Sequence, residues 1–310
     1  MWTQERFFAE HAAPENYGAQ MADVERFVAR HSAARRRVVL VTSGGTTAPL
    51  ERNVVRYLDN FSAGTRGATS AEYFLAHGYA VVFMSRQHSQ APFTRLYSHT
   101  TNPFFDLLEE PVQEQGATIR VADAHVPSLL PVLHSFHEAR RSGSLLAVSF
   151  VSVVEYLFLL RGIACAMRPL GRLGMFYLAA AVSDFFMPDT HIPEHKIQSD
   201  DGSLVLRMEQ VPKVLGVLVH EWAPDAFVVS FKLETDDELL IPKAEKSLAR
   251  YAHSLVIGNH LHKRKHEVVL VAPRAAGGAF EHEWIRVYDH EIELDIVAAL
   301  AARHGAHIAI

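Results

Sequence analysis

Two rhythms of apolar residues run through the chain. The segments RVVLVTSGG (37–45), YAVVFMS (79–85), LLAVSF (145–150), MFYLAAAV (175–182), AFVVSFKLETD (226–236), LVIGNH (255–260) and EVVLVA (267–272) are short and almost continuously apolar. That is the pattern of strands buried on both faces. Between them the spacing turns helical. AGTRGATSAEYFLAHG (63–78) predicts a helix closed by Gly78, and SVVEYLFLLRGIACAM (152–167) predicts a buried one. VPKVLGVLVHEW (211–222) reads as a helix with Pro212 near its first turn, and DELLIPKAEKSLARYAHS (237–254) as one kinked or started late at Pro242. A further helix precedes LLAVSF, and a last one lies near 290–304. SLVLRMEQ (203–210) alternates like an exposed strand. Residues 1–36 are helical in two pieces, broken by Pro14 and Gly18, with Phe7, Phe8, Met21, Val24, Phe27 and Val28 as apolar points.

Strand and helix alternate, which predicts an α/β protein with a doubly wound, mainly parallel Rossmann-like sheet and helices on both faces. The expected organisation is an N-terminal helical segment, 1–36, followed by a single α/β domain, 37–310. Residues 85–126 lack a clear period and read as a surface excursion, a length of loop that is usually functional or mobile. Ligands of such sheets bind beyond the carboxyl ends of the strands. The polar residues there, in SGGTT, SDFF, KLETD and GNHLHK, are expected to converge on one site.

Composition narrows the partners. Of 310 residues, 49% are apolar and 21% charged, and the net charge of −5 offers no general attraction to nucleic acid. The run Arg35-Arg36-Arg37 reads as a solvated helix end. Cys165 is the chain's one cysteine, which excludes an intramolecular disulfide and suits a reducing compartment; it reads as a buried thiol. The N-terminus lacks a signal-like apolar run. The most apolar stretch, 145–160, is interrupted by Glu155 and is shorter than the roughly 20 residues a membrane span needs. No membrane partner and a cytoplasmic location are expected. Four of the nineteen histidines gather in 253–266, but His260 and His262 have no third ligand in sequence, so no metal ligands are assigned.

The glycines of YLDNFSAGTRG (57–67) pose the functional question. A dinucleotide fingerprint places its glycines at the first strand–helix turn. Here Gly44-Gly45 end the strand and the helix opens only near Ser62, with Gly64 and Gly67 in its first turn. That spacing also misses a Walker loop. Gly64, Gly67, Ala68 and Ala71 share one face, which lets the helix press on the sheet. Ser62 and Gly64 equally stand where free amides and the helix dipole favour an anion, so Gly44-Gly45 and Ser62–Gly67 together form a candidate split phosphate cradle. Asn60 suits either a helix cap or a grip on a substrate carbonyl. Lys196 is either a solvated loop lysine or a cation supplied to a nucleotide phosphate.

Taken in register, VTSGGTTAPLERNVVRYLDNFSAGTRG (41–67), FYLAAAVSDFFMP (176–188), HKIQS (195–199), VPKVL (211–215), FKLETD (231–236) and VIGNHL (256–261) resemble the eukaryotic, ATP-dependent type of phosphopantothenate–cysteine ligase. The resemblance spans about 37–265 and is weak in 1–30 and 85–140. It implies an enzyme of coenzyme A biosynthesis that joins 4′-phosphopantothenate to L-cysteine. The carboxylate attacks the α-phosphate of ATP, releasing pyrophosphate, and cysteine displaces AMP from the acyl-adenylate. It implies Mg2+ with the nucleotide, and a homodimer in which Arg56 reaches across to the substrate phosphate. By the same resemblance Gly44, Ser62, Gly64 and Gly67 cradle the nucleotide phosphates, and Phe231 and Asn259 lie near the nucleotide. Ala180, Ala181 and Asp184 wall the pantothenate, Asn60 grips the acyl intermediate, and Lys196 neutralises charge at the α-phosphate. Ala63 stands where relatives often carry serine, and the loop after Asp184 departs in detail. No flavin decarboxylase domain accompanies the motifs, so a monofunctional chain is expected. The competing readings are a Rossmann-type NAD(P)-dependent oxidoreductase, which the glycine spacing and the lack of an acid closing YAVVFMS oppose, and a non-catalytic member of the same fold.

Overall fold

All six residues of Val38–Ser43 are buried, and this strand is central. It is β1 of an eight-stranded sheet whose other strands are β2 (Ala80–Arg86), β3 (Leu145–Phe150), β4 (Gly174–Leu178), β5 (Phe227–Glu234), β6 (Leu255–His260), β7 (Glu267–Pro273) and β8 (Phe280–Arg286). The computed structural model describes residues 2–97, 104–110, 118–198, 202–274 and 278–310. The stretches 98–103 and 111–117 of the expected excursion, and Ser199 at the end of HKIQS, lie outside the described residues.

The strand order is β3-β2-β1-β4-β5-β6-β7-β8, parallel from β3 through β6, with β7 and β8 antiparallel. The chain leaves β1 in one direction and returns to its other side at β4. The order therefore reverses between β1 and β4, and a crevice opens there at the carboxyl ends.

The helices are α1 (Gln4–Glu10), α2 (Tyr17–Ala33), α3 (Thr65–Ala76), α4 (Val126–Ser142), α5 (Val153–Met167), α6 (Asp237–Tyr251) and α7 (Ile292–Ala309). Alternate residues of the strands feed different cores. Val38, Leu40, Val82 and Val228 pack with α1, α2 and α5, whereas Val39, Val41, Val81 and Val229 pack with α3 and α7. Leu240, Ala244 and Leu248 of α6 close over Val256, Val269 and Val271. Each fully buried aliphatic of this kind is worth about 1.5–3 kcal/mol, so both faces must be covered. Trp2, Phe7, Met21 and Val24 of the N-terminal segment lie in the same core cluster as β1 and β2. Among the described residues no helix is long and apolar enough to cross a membrane.

Several details differ from the pattern read in the sequence. Phe280–Arg286 is a strand whose residues are mostly exposed, so its apolar signal is diluted; antiparallel pairing with β7 defines it. Pro242 lies inside a continuous α6, because the hydrogen bond it deletes would have gone to the carbonyl of exposed Glu238, which water can reach. SLVLRMEQ contributes only Glu209–Gln210 as strand, paired with Phe185–Phe186. The next helical turns begin at Leu215 rather than at Pro212, since Val211 donates its amide to the Asp184 carbonyl, and they widen into a π-type turn over Leu218–Trp222. Gly18 sits within α2. Cys165 is exposed on α5 rather than buried. Arg36 and Arg37 are not a free basic end: they donate to the carbonyls of Gly78 and His77 and so seal the carboxyl end of α3.

Candidate active site

The crevice is built from β1 outward. Beyond Ser43 the chain passes through Gly44, in the left-handed region at φ +81°, into Gly45. There the main chain crosses to β4: the Ala181 amide donates to the Gly44 carbonyl at 2.8 Å, and the Thr46 amide donates to the Ala181 carbonyl at 3.0 Å. A Cβ on Gly45 would lie 1.6 Å from the carbonyl oxygen of Asn60, so nothing larger fits. The chain then makes a hairpin, Thr47–Pro49 against Tyr57–Asp59, and returns through Asn60 to α3. Asn60 is not the helix cap. Gly64 is, at φ +81°.

Gly67 allows α3 to reach the end of β1: a Cβ there would lie 2.4 Å from the Ser43 hydroxyl. That hydroxyl donates to the Gly64 carbonyl at 2.9 Å, tying strand end to helix start. Ala68 and Ala71 of the same face are fully buried. The Gly64 carbonyl takes the amide of Ala68, which leaves the amides ahead of it at the helix N-terminus without a partner in the helix. A cavity of 580 Å³ lies beside this terminus, lined by Ser62, Ala63, Arg86, Ser89 and Gln90 among others. Gly44, Ser62, Gly64 and Gly67 are thus brought to one corner by a Gly-lined strand end and a helix dipole, an arrangement that attracts anions.

Asn60 sits beside this corner and is held twice. Its amide donates to the Thr46 carbonyl at 3.1 Å, and its side-chain Oδ1 accepts from the Ser183 hydroxyl at 3.1 Å. Ala180, Ser183, Asp184 and Phe231 share a second hollow of 310 Å³ between β4 and β5. The ring of Phe231 meets Tyr177 edge-on at 5.0 Å. Asp184 is ion-paired with Lys213 of the VPKVL motif at 2.6 Å. Asn259 lies one strand further out, opposite Leu233 on β5; it is buried, and its Oδ1 has no partner among the described residues.

Lys196 and Arg56 are placed differently. Lys196 is exposed and lines a separate hollow of 910 Å³ with Met187, His191, Ile197 and Arg207. The loop that carries it is docked on the hairpin turn. The Arg52 and Asn53 amides donate to the carbonyls of Pro193 and Glu194, at 2.9 and 3.2 Å. Glu51, fully buried, accepts from the amides of Arg56 and Ile197 and from the Arg56 guanidinium, which also donates to the Ile197 carbonyl. Burial pushes the Glu51 carboxyl up. The Arg56 and Ile197 amides and the Arg56 charge outweigh it and hold the group below the usual carboxylate range. Arg56 is therefore engaged within its own chain.

Glu234 bridges Lys232 and Lys243, at 3.2 and 2.7 Å. Burial acts to raise it, and the hydrogen bonds from the two lysines win, leaving it lowered. Among the described residues no group of three or more His, Cys, Asp or Glu converges as a metal cage. The sequence placed Thr46 and Ser183 only within polar segments expected to converge, and it did not single out Glu51 or Arg86. A lone hydroxyl, acid or base in such a segment carries no period of its own.

Residues 34–126 and 163–275 match the family model described as DNA/pantothenate metabolism flavoprotein C-terminal domain. Phosphopantothenate–cysteine ligase of Homo sapiens is 44% identical over 300 residues, covering 97% of this chain and 96% of the relative. The chain belongs to the phosphopantothenate–cysteine ligase family. The family's CAB2 from Saccharomyces cerevisiae is 39% identical over 328 residues, covering 99% of this chain and 87% of the relative. A solved histidine-to-alanine variant of Cab2, in complex with phosphopantothenate-cysteine, superimposes with a TM-score of 0.89 at 39% identity, covering 99% of each chain.

Proposed function

We propose that this chain ligates 4′-phosphopantothenate to L-cysteine at the expense of ATP, through an acyl-adenylate. The observation that carries this reading is the junction of β1 and β4. There an anion-attracting corner (Gly44, Ser62, Gly64, Gly67) adjoins a carboxamide (Asn60) and the backbone of Ala180 and Ala181. The chemistry needs both halves. A carboxylate is a poor acyl donor, so its oxygen first attacks the α-phosphorus, and the electron pair of the broken P–O bond leaves with pyrophosphate. The amine of cysteine then attacks the acyl carbon; the C–N bond forms as the C–O bond to AMP breaks, and the amine proton passes to solvent. Charge gathers on phosphoryl oxygens in the first step and on the acyl oxygen in the second, where fixed donors are most effective.

In this reading the helix terminus and the Gly44 turn hold the triphosphate. The buried Oδ1 of Asn259, without a partner among the described residues, and the ring of Phe231 suit the nucleoside end. Ala180, Ala181 and Asp184 hold the pantothenate, Asn60 donates to the acyl oxygen, and Lys196 reaches the α-phosphate. Mg2+ would enter with the nucleotide, held chiefly by phosphate oxygens and water: Asp184 and Glu234 are each already paired with lysines. When bound it would draw charge from the phosphoryl oxygens. The working unit is a homodimer in the cytoplasm. Val54, Val55, Tyr57, Leu58 and Phe61 on and beside the hairpin are exposed apolar residues, and they support pairing of two copies near Arg56. The oxidoreductase reading finds no support: β2 closes on Ser85 and Arg86 with no acid for a ribose, and the relatives are ligases by name.

Release of pyrophosphate that requires phosphopantothenate and ATP, and amide product that also requires cysteine, is the direct assay; a chain inactive in both is not this enzyme. Asn60→Asp is expected to stall the reaction after the nucleotide step. Lys196→Gln is expected to depress the exchange of labelled pyrophosphate into ATP, and normal exchange in that variant removes Lys196 from the α-phosphate.

A further inference from the structure

Asn60 can serve an acyl oxygen only if its NH2 end, not its carbonyl end, faces the substrate. A carboxamide is nearly symmetric in shape, and a half-turn about its last torsion exchanges a donor for an acceptor. Something must choose the orientation. The choice is made by two hydroxyls that come from either side of the sheet's switch point.

Thr46 is fully buried and Ser183 nearly so. The Ser183 amide donates to the Thr46 hydroxyl oxygen at 2.8 Å, so that oxygen already accepts. The two hydroxyls are 3.0 Å apart and either can donate; with the Ser183 O–H given to Asn60, the Thr46 O–H is the one that donates to Ser183 Oγ. Ser183 Oγ–H then donates to Asn60 Oδ1 at 3.1 Å. The Ser183 hydroxyl also lies 3.4 Å from the Thr46 carbonyl, but the carboxamide oxygen is the nearer acceptor, and the chain ends on it. The Nδ2 end carries no protein partner among the described residues. Backbone contacts support the same placement: the Asn60 amide is held by the Thr46 carbonyl, and its own carbonyl packs on Gly45.

We propose that Thr46 and Ser183 form a hydroxyl relay that positions Asn60, locking its carboxamide with the donor end toward the acyl oxygen in the amide-forming step. Neither hydroxyl touches the reacting atoms. Both act through Asn60, so the inference rests on the reading of Asn60 given above. Serial hydrogen bonds polarise one another, and a preformed donor costs no reorganisation as charge develops.

The test separates steps. Ser183→Ala removes the last hydroxyl at almost constant volume. Amide formation under saturating ATP is expected to fall about tenfold, with exchange of pyrophosphate into ATP reduced less than about threefold, because a lost orienting hydrogen bond acts only where the donor is used. Thr46→Val, isosteric but without the O–H, is expected to shift the same step in the same direction, and Thr46→Ser to restore it. A fold defect would instead lower both steps together and the melting temperature with them. Asn60→Ala serves as the reference. If Asn60→Ala slows the amide step while Ser183→Ala and Thr46→Val leave it at the normal rate, the relay is overturned and the role of Asn60 stands. If Asn60→Ala itself makes product normally, the reading beneath the relay falls, and the relay with it.

Discussion

At the scale of single residues, the site is specified by close approaches. Gly45 exists because the Asn60 carbonyl oxygen occupies the place of its Cβ, at 1.6 Å. Gly45→Ala is expected to force Asn60 and the hairpin out of register and to cost about 3 kcal/mol, as overpacking of a closed contact does. Chemical denaturation would show the loss as a lowered midpoint. Gly78, left-handed but with no atom within 4 Å of its would-be Cβ, is the control: Gly78→Asn should cost far less, since asparagine tolerates that conformation. The close packing of Gly67 and Ala68 on the sheet was legible in the sequence, because small residues recur on one face of the helix. Ser183 and Thr46 were not, since their importance depends on which atom of Asn60 each one faces.

At the scale of elements, the decisive feature is the docking of the loop at 188–198 on the hairpin turn at 50–56. Glu51 is the pin, a buried carboxylate that receives one amide from each element and the Arg56 guanidinium. Glu51→Gln keeps the shape but removes the charge that holds the guanidinium. The loop is expected to loosen, and trypsin at neutral pH to cut after exposed Lys196 several-fold faster than in the parent chain, with little change at other sites. Unaltered cutting would mean that the backbone bonds of Arg52 and Asn53 suffice. The folded-state pKa of Glu51 lies below its ordinary value, so its contribution is present above that ordinary value and disappears as pH falls through the lowered one. The polar motif HKIQS read as a loop in the sequence. What it rests on was hidden, because Glu51 and Ile197 are far apart in the chain.

At the scale of the whole molecule, two buried imidazoles couple the fold to pH. His304 on α7 is fully buried between the Tyr79 hydroxyl, at 2.9 Å, and the Arg172 carbonyl, at 2.8 Å. His253 lies under α6 against the Ser230 hydroxyl at 2.8 Å. Burial lowers both to about 4. The unfolded chain takes up their protons near 6.5 while the folded one does not, so stability is full above that pH and declines from there toward 4. Each group contributes up to about 1.4 kcal/mol per pH unit within this window. Urea unfolding measured from pH 7 to 5 should show the decline, and His304→Gln should make it shallower. The exposed Val55 and Leu58 make a second prediction at this scale. Val55→Lys with Leu58→Lys should convert the proposed dimer to monomers in sedimentation, and a parent chain that is already monomeric at assay concentration would sink the pairing.

The alternation of strands and helices and the doubly wound class were determined by the sequence alone. They follow from local periodicity. Only the tertiary structure decided that Asn60 answers to Ser183, that Arg56 is spent on Glu51 and Ile197, and that Phe280–Arg286 completes the sheet. Those facts come from residues distant in the chain meeting at an angle and a distance, and hydrogen bonds depend on geometry that no one-dimensional pattern encodes.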